Sequence, residues 1–211
     1  MKHLRQYIRQ VLLTEAAKGP TDIPEGYFIR MKETGDFAEF EFVKLVTRPP
    51  RTPAYIAARS VGDKVYGSIQ LYSVEEEIVG PCNGAFMISW AGATDGYGPM
   101  LYDLAMEWAT ANGGGLISDR GSVSPSAREV WDYYLNNRSD VIKVQLDDTD
   151  NKFTPETEDN CDQTVANGQG FRYRRNPDNI NPNWSESALS KMYKKTNDST
   201  TKELKALGKL V

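Results

Sequence analysis

Ala85-Phe86-Met87-Ile88-Ser89-Trp90, then Gly96-Tyr97-Gly98-Pro99, then Met100 to Asn112, is the stretch that decides the fold. The first six residues are apolar on both faces, as in a strand covered from two sides inside a sheet. In the last segment Leu101, Leu104, Ala105, Trp108 and Ala109 recur at helical spacing, and Gly113-Gly114-Gly115 stops that helix. A glycine turn between a strand and a helix suits an anion. The first amides of a helix have no partner within it, and the helix dipole favours negative charge there. Glycine lets the backbone approach a phosphate closely, and Pro99 gives up an amide that would be unpaired anyway.

Working outward, more strands precede this unit. Tyr27 to Met31 reads as one, and Phe37 to Val46 as another, with Phe40 and Phe42 on one face and Glu39, Glu41 and Val43 on the other. Gly35-Asp36 between them suits a tight hairpin turn. Arg48-Pro49-Pro50-Arg51-Thr52-Pro53 reads as a rigid loop, and Val65 to Val74 as a strand with Val65, Gly67, Ile69 and Leu71 on one side. After the central helix, Leu116 to Ser118 is a short strand. Ser124-Pro125 opens a second helix, with Ser as cap and Pro at the first helical position, whose inner face carries Ala127, Val130, Trp131 and Tyr134. Val141 to Leu146 returns as a strand.

Those residues resemble the core of the GNAT superfamily of N-acetyltransferases. That family sets a pyrophosphate loop, [Gln/Arg]-x-x-Gly-x-[Gly/Ala], between its fourth strand and third helix. Ala93-Thr94-Asp95-Gly96-Tyr97-Gly98 stands in that place here, with both glycines matching and Ala93 replacing Gln or Arg. Ser124 to Trp131 looks like the family's Asn-x-x-Ala-x-x-Leu-Tyr helix, with Ser124 for Asn and Trp131 for Tyr. The resemblance implies an α+β fold: a GNAT-like mixed, mostly antiparallel central sheet flanked by helices. It implies acetyl-CoA as co-substrate, an amine acceptor, which is a small molecule or a protein, and an acyl-CoA dependent N-acyltransferase. Ile88, Trp90, Gly96, Tyr97, Gly98 and Met100 become the expected coenzyme contacts. Transfer needs a base for the amine and an acid for the departing thiolate. Tyr133 and Tyr134 are both close to Trp131; Tyr134, one turn on, is the candidate acid, and Asp119, ending the 116–118 strand, the candidate base. Glu75, Glu76 and Glu77 are further candidates for the base. His3 is the only histidine and sits in the N-terminal segment, which removes a Ser-His-Asp or Cys-His triad from the domain.

Residues 1–18 read as an amphipathic helix built on Leu4, Ile8, Val11 and Leu12, ended by Lys18-Gly19-Pro20. Its end, Leu13-Thr14-Glu15-Ala16, resembles the site cut by prohead proteases of T-even-type bacteriophages. That implies a removable targeting segment that binds the phage head scaffold through residues 1–15. The alternative reading is therefore a catalytically degenerate GNAT-like virion or internal head protein.

Composition bounds the rest. The chain has 211 residues, 39% apolar, enough for one main core. Three segments are expected: 1–18, a domain over 22–150, and a polar extension over 151–211 with short helices at Ser185 to Lys194 and Thr201 to Leu207. A net charge of −4 weighs against a dedicated nucleic-acid binder. No apolar run reaches the length of a membrane span, and no secretory signal is legible. Cys82 and Cys161 have no metal-ligand spacing, no metal is expected, and a cytoplasmic setting follows (the host cell's if phage-encoded, with packaging in the virion as the other destination).

Overall fold

A computed structural model describes residues 17–45, 63–74, 84–118, 123–146 and 188–211. The order is a 3₁₀ turn at Pro20–Asp22, β1 (Tyr27–Thr34), β2 (Phe37–Lys44), β3 (Lys64–Ser73), β4 (Phe86–Ala93), α1 (Gly98–Asn112), β5 (Leu116–Ile117), α2 (Pro125–Asn137), β6 (Ile142–Gln145), a 3₁₀ turn at Ala188–Ser190, β7 (Lys191–Lys194) and α3 (Ser199–Ala206). The strands form a seven-stranded sheet in the order β1-β2-β3-β4-β5-β7-β6. β1–β2, β5–β7 and β6–β7 pair antiparallel, and β4–β5 pair parallel. The fold is α+β, with a mostly antiparallel sheet, and its element order is consistent with a GNAT-like arrangement.

Two compact units share these elements. One comprises residues up to Gln70, Trp90–Leu104 and Ser199–Val211; the other comprises Leu71–Ser89 and Ala105–Asp198. In the first, Gly35 at φ 40° opens the two-residue hairpin loop and sets Thr34 opposite Phe37. That register puts Ile29 opposite Phe42 and Met31 opposite Phe40, and Ile29, Phe40 and Phe42 are buried. Residues 209–211 run parallel to β1, with Ile29 N donating to Lys209 O and Val211 N to Ile29 O. In the second unit Val74, Ala85, Ile117, Leu146 and Met192 form an apolar cluster that Met87 and Val144 join.

The other face of the β1–β2 hairpin is charged and enclosed. Glu39 and Glu41 are buried, not solvated. The register sets Arg30 opposite Glu41 and Lys32 opposite Glu39. Arg30 bonds Glu41 and Asp63 at 2.7 and 2.9 Å, Lys32 reaches both glutamates, and Gln70 donates to Glu39. Burial is tolerated because each carboxylate is neutralised and hydrogen-bonded.

Two expectations are corrected by the sheet. Residues 185–194 do not form a helix over their described part: Ala188–Ser190 is a 3₁₀ turn and Lys191–Lys194 is strand β7, held between β5 and β6. The expected helix at 201–207 is present as α3. β4 is central in strand order, yet only its first half is covered: Phe86 and Ile88 are buried, and Ser89, Trp90, Gly92 and Ala93 are exposed. Its parallel ladder with β5 is short, joining Phe86 to Leu116 and Met87 to Ile117. Against β3 it carries one extra residue. Thr94 N bonds Tyr66 O and Val74 N bonds Ala85 O, so nine steps along β4 match eight along β3. Such a bulge bends a strand and re-aims its side chains. Among the described residues no helix is long and apolar enough to cross a membrane.

The 1–16 part of the expected N-terminal helix, with His3 and the Leu13–Ala16 motif, lies outside the described residues. So do the 48–53 loop, Glu75 to Glu77, Cys82, Asp119, Cys161 and the polar stretch 147–187.

Candidate functional site

The turn between β4 and α1 is built from its anchors. Thr94 donates through both its amide and its hydroxyl to Tyr66 O, at 3.0 and 3.1 Å. Asp95 and Gly96 then take φ of 56° and 82°, reversing the chain. Aspartate tolerates this left-handed region better than most residues, and glycine enters it without steric cost. Tyr97 N closes the turn on Thr94 O at 3.3 Å, and Lys18 N bonds Gly96 O at 3.0 Å.

Tyr97 is the hinge pin of this turn. Its carbonyl accepts the first helical bond, from Leu101 N, so it caps α1. Its ring is buried, 4.3 Å from the Phe42 ring, and its hydroxyl donates to Asp22 O at 2.6 Å. Burial, with Asp22 and Asp95 nearby, pushes the phenol above its ordinary pKa and keeps it a donor. The Tyr97 side chain is therefore an anchor; Thr94 and Asp95 are exposed before it, and after it the turn offers a ligand backbone. Among the described residues the amides of Gly98 and Met100 have no backbone hydrogen-bond partner, and Pro99 has no amide to offer. Met100 buries its side chain and contributes only that amide. A Cβ at Gly98 would meet nothing within 4 Å, so the space over this amide is open.

On β4, Ile88 is buried and Trp90 is 59% exposed. The Trp90 ring lies along its own strand, 3.6 Å from where a Cβ on Gly92 would stand. Trp90 thus offers an apolar surface, whereas Ile88 belongs to the core.

The second expected motif is occupied by structural work. Ser124 accepts from Ala127 N at 3.2 Å, the N-cap bond of α2. Trp131 is buried with its ring 4.9 Å from that of Tyr193. Tyr134 has no exposed surface: its ring meets Tyr193 edge-on at 6.4 Å, and the Arg138 guanidinium stands over it at 5.2 Å. Tyr193 itself is buried, with its hydroxyl on Ala188 O, and burial pushes its pKa well up. Ser118, just before Asp119, keeps its hydroxyl buried with no hydrogen-bond partner among the described residues.

A group that strand reading did not single out stands beside the turn. Tyr27 and Tyr66 lie 5.2 Å apart, and Phe42 links them to Tyr97. Lys18, Lys44 and Lys64 stand over the rings of Tyr97, Tyr27 and Tyr66 at 4.9, 5.3 and 4.8 Å. The signal was there in outline: Tyr27, Lys44, Lys64 and Tyr66 all fall within three residues of a strand end. Only the sheet order shows that those ends are neighbours.

Comparison of this chain with protein-family models, with curated proteins and with solved structures finds no match.

Proposed function

We propose that this chain is an acyl-coenzyme A dependent N-acyltransferase that moves an acetyl group from acetyl-CoA to an amine. One observation carries the reading. The Ala93–Gly98 turn ends the fourth strand, and its backbone opens α1 with two amides that have no backbone partner among the described residues, beside open space at Gly98. Such amides at the positive end of a helix suit a pyrophosphate. The resemblance to the GNAT superfamily in the order of these elements supports the same coenzyme.

The reaction needs little from the protein beyond placement and proton handling. The amine nitrogen attacks the thioester carbonyl, the C–S bond breaks, the thiolate takes a proton and the amine loses one. Asp119 is the residue proposed to accept the amine's proton. Tyr134 is enclosed by aromatic and guanidinium groups, so the thiolate's proton comes from another donor, including solvent. Isothermal titration of the full chain with acetyl-CoA tests the coenzyme, and release of free thiol in the presence of an amine panel tests transfer. Absence of binding at high micromolar concentrations of both would overturn the reading.

A second reading is favoured by what Ser124, Trp131 and Tyr134 do. Where the family has Asn and Tyr, this chain has a helix cap and a core aromatic, and the substitute Tyr134 is also core. A GNAT-like module that has lost transfer and serves a phage particle fits those three positions. Coenzyme binding without turnover, together with a chain found by mass spectrometry in assembled particles and cut after Glu15, would favour it. The first reading places the protein in the cytoplasm, the second in the virion.

A further inference from the structure

We infer that Lys18, Lys44 and Lys64, gathered on the rings of Tyr27, Tyr66 and Tyr97, form a binding surface for a pyrophosphate-bearing small ligand. The inference rests on the acyl-CoA reading only for the name of the coenzyme; the surface itself stands on three observations.

The first is convergence. Tyr27 pairs with Lys44 across the β1–β2 ladder, and Lys64 opens β3 two residues before Tyr66. Tyr66 O holds Thr94, and Lys18 N holds Gly96 O. Two strand ends and the 17–22 segment thus bring their ammonium groups, and the start of β1 its Tyr27 ring, to one place beside the turn. The second is the lack of counter-ions. Arg30, Lys32, Arg138 and Lys195 each have a carboxylate partner, whereas Lys18, Lys44 and Lys64 form no ion pair among the described residues. Unpaired ammoniums held over aromatic faces are positioned without being neutralised. The third is the phenol pair. The Tyr27 and Tyr66 rings lie 5.2 Å apart, and interaction with the Tyr27 hydroxyl and with Lys64 and Lys44 lowers the pKa of the Tyr66 phenol. An oxyanion placed there gains hydroxyl donors as well as charge.

Two carboxylates belong to the same neighbourhood. Asp22 is engaged by Gly19 N at 2.8 Å. Asp95 lies close enough to raise the pKa of Tyr27 and Tyr97, and it opposes an anionic ligand. The pattern also answers the departure at Ala93. The resemblance leads one to expect Gln or Arg there, and this chain has no polar side chain at that position. Lysines from β2, β3 and the segment before Pro20 supply the donors instead.

The test is calorimetric titration of the full chain with sodium pyrophosphate and, separately, with coenzyme A. Lys44→Met and Lys64→Met should each weaken pyrophosphate binding roughly tenfold, the scale of losing one charged hydrogen bond. Asp95→Asn, which keeps a residue tolerant of positive φ, should tighten it. Pyrophosphate should also shift the phenolate absorbance of the wild-type chain to higher pH, because the anion cancels the lysine field at Tyr66. Circular dichroism melts confirm that each variant is folded. No pyrophosphate binding at millimolar concentration, or equal binding by the Lys44→Met/Lys64→Met double variant, overturns the inference. Coenzyme A binding that survives in that double variant removes the inference and leaves the proposed function standing. Lysine-dependent pyrophosphate binding with no coenzyme A binding does the reverse.

Discussion

Replacing Gly98 with Asp should lower coenzyme binding while changing stability little. Gly98 is the first residue of α1, its φ is not in the left-handed region, and a Cβ there meets nothing within 4 Å. Beyond its chain neighbours the fold therefore has room for the side chain. A carboxylate in the first turn interacts favourably with the helix dipole by about 0.3–1 kcal/mol. The ring of Pro99 opposes this gain, because it crowds a Cβ on a helical residue just before it. Apoprotein stability should change by about 1 kcal/mol or less, within about 2–4 °C in Tm for a chain of this size. The same carboxylate stands where the coenzyme phosphates are proposed to sit. Repulsion between unit charges at 4 Å is about 1 kcal/mol in bulk water and about 4 kcal/mol at an effective dielectric near 20. Coenzyme A affinity should fall by roughly five- to a thousandfold. Gly98→Asn, nearly the same size without charge, should lose much less. The assays are thermal denaturation by circular dichroism and titration calorimetry with coenzyme A. A Gly98→Asp chain that binds coenzyme A as tightly as wild type would refute the assignment of this turn to the phosphates.

Three further outcomes follow from the packing. Glu107 and Lys195 form an ion pair with side chains 2% and 1% exposed, so Glu107→Gln should destabilise by about 3–5 kcal/mol, whereas the apolar double variant Glu107→Leu/Lys195→Met should recover most of that loss; urea titration measures both. Burial alone would raise the pKa of Glu41, but hydrogen bonds from Lys32 and Arg30 outweigh it and hold the carboxyl below its ordinary value of 4.5, so its contribution to stability is present above that pH and is lost as pH falls through the depressed folded value; Glu41→Gln should flatten this part of the acid limb in pH-dependent urea titrations. Tyr134→Phe should leave turnover within about twofold of wild type, because a fully buried hydroxyl does not reach substrate; a loss of about a hundredfold, the lower range for removing a general acid, would restore Tyr134 as the proton donor.

Much of the fold was legible because strand and helix periods were clean where turn chemistry bounded them. Gly35-Asp36 fixed the hairpin, Ser124-Pro125 opened α2, and Gly113-Gly114-Gly115 closed α1, as the structure shows. The sequence reading placed Glu39 and Glu41 on one face of β2 without their ion partners, although those partners could be counted from the sequence. With a two-residue loop, counting outward from Thr34 and Phe37 puts Lys32 against Glu39 and Arg30 against Glu41. β7 was not legible. Lys191-Met192-Tyr193-Lys194 follows Ser-Glu-Ser-Ala-Leu-Ser, a composition that suits a helix, and only the place open between β5 and β6 makes it a strand. The lysine–tyrosine group was hidden for the same reason: its members are separated in sequence and meet only through strand order.

The glycines of Gly96-Tyr97-Gly98 have different causes, and the difference bears on function. Gly96 has φ 82° and is needed by the turn whatever the protein does. Tyr97 is needed by the core, through Phe42 and the carbonyl of Asp22. Gly98 answers to a milder demand: it is helical directly before Pro99, where the proline ring disfavours a Cβ, while no residue beyond its chain neighbours crowds it. Folding therefore accounts for it in part. A ligand that must approach the amides of Gly98 and Met100 without a side chain in the way gives a second reason, because a Cβ at this position would project into the space the structure leaves open. The case for an anion at this turn therefore rests less on the presence of two glycines than on the open space beside the amides that begin α1.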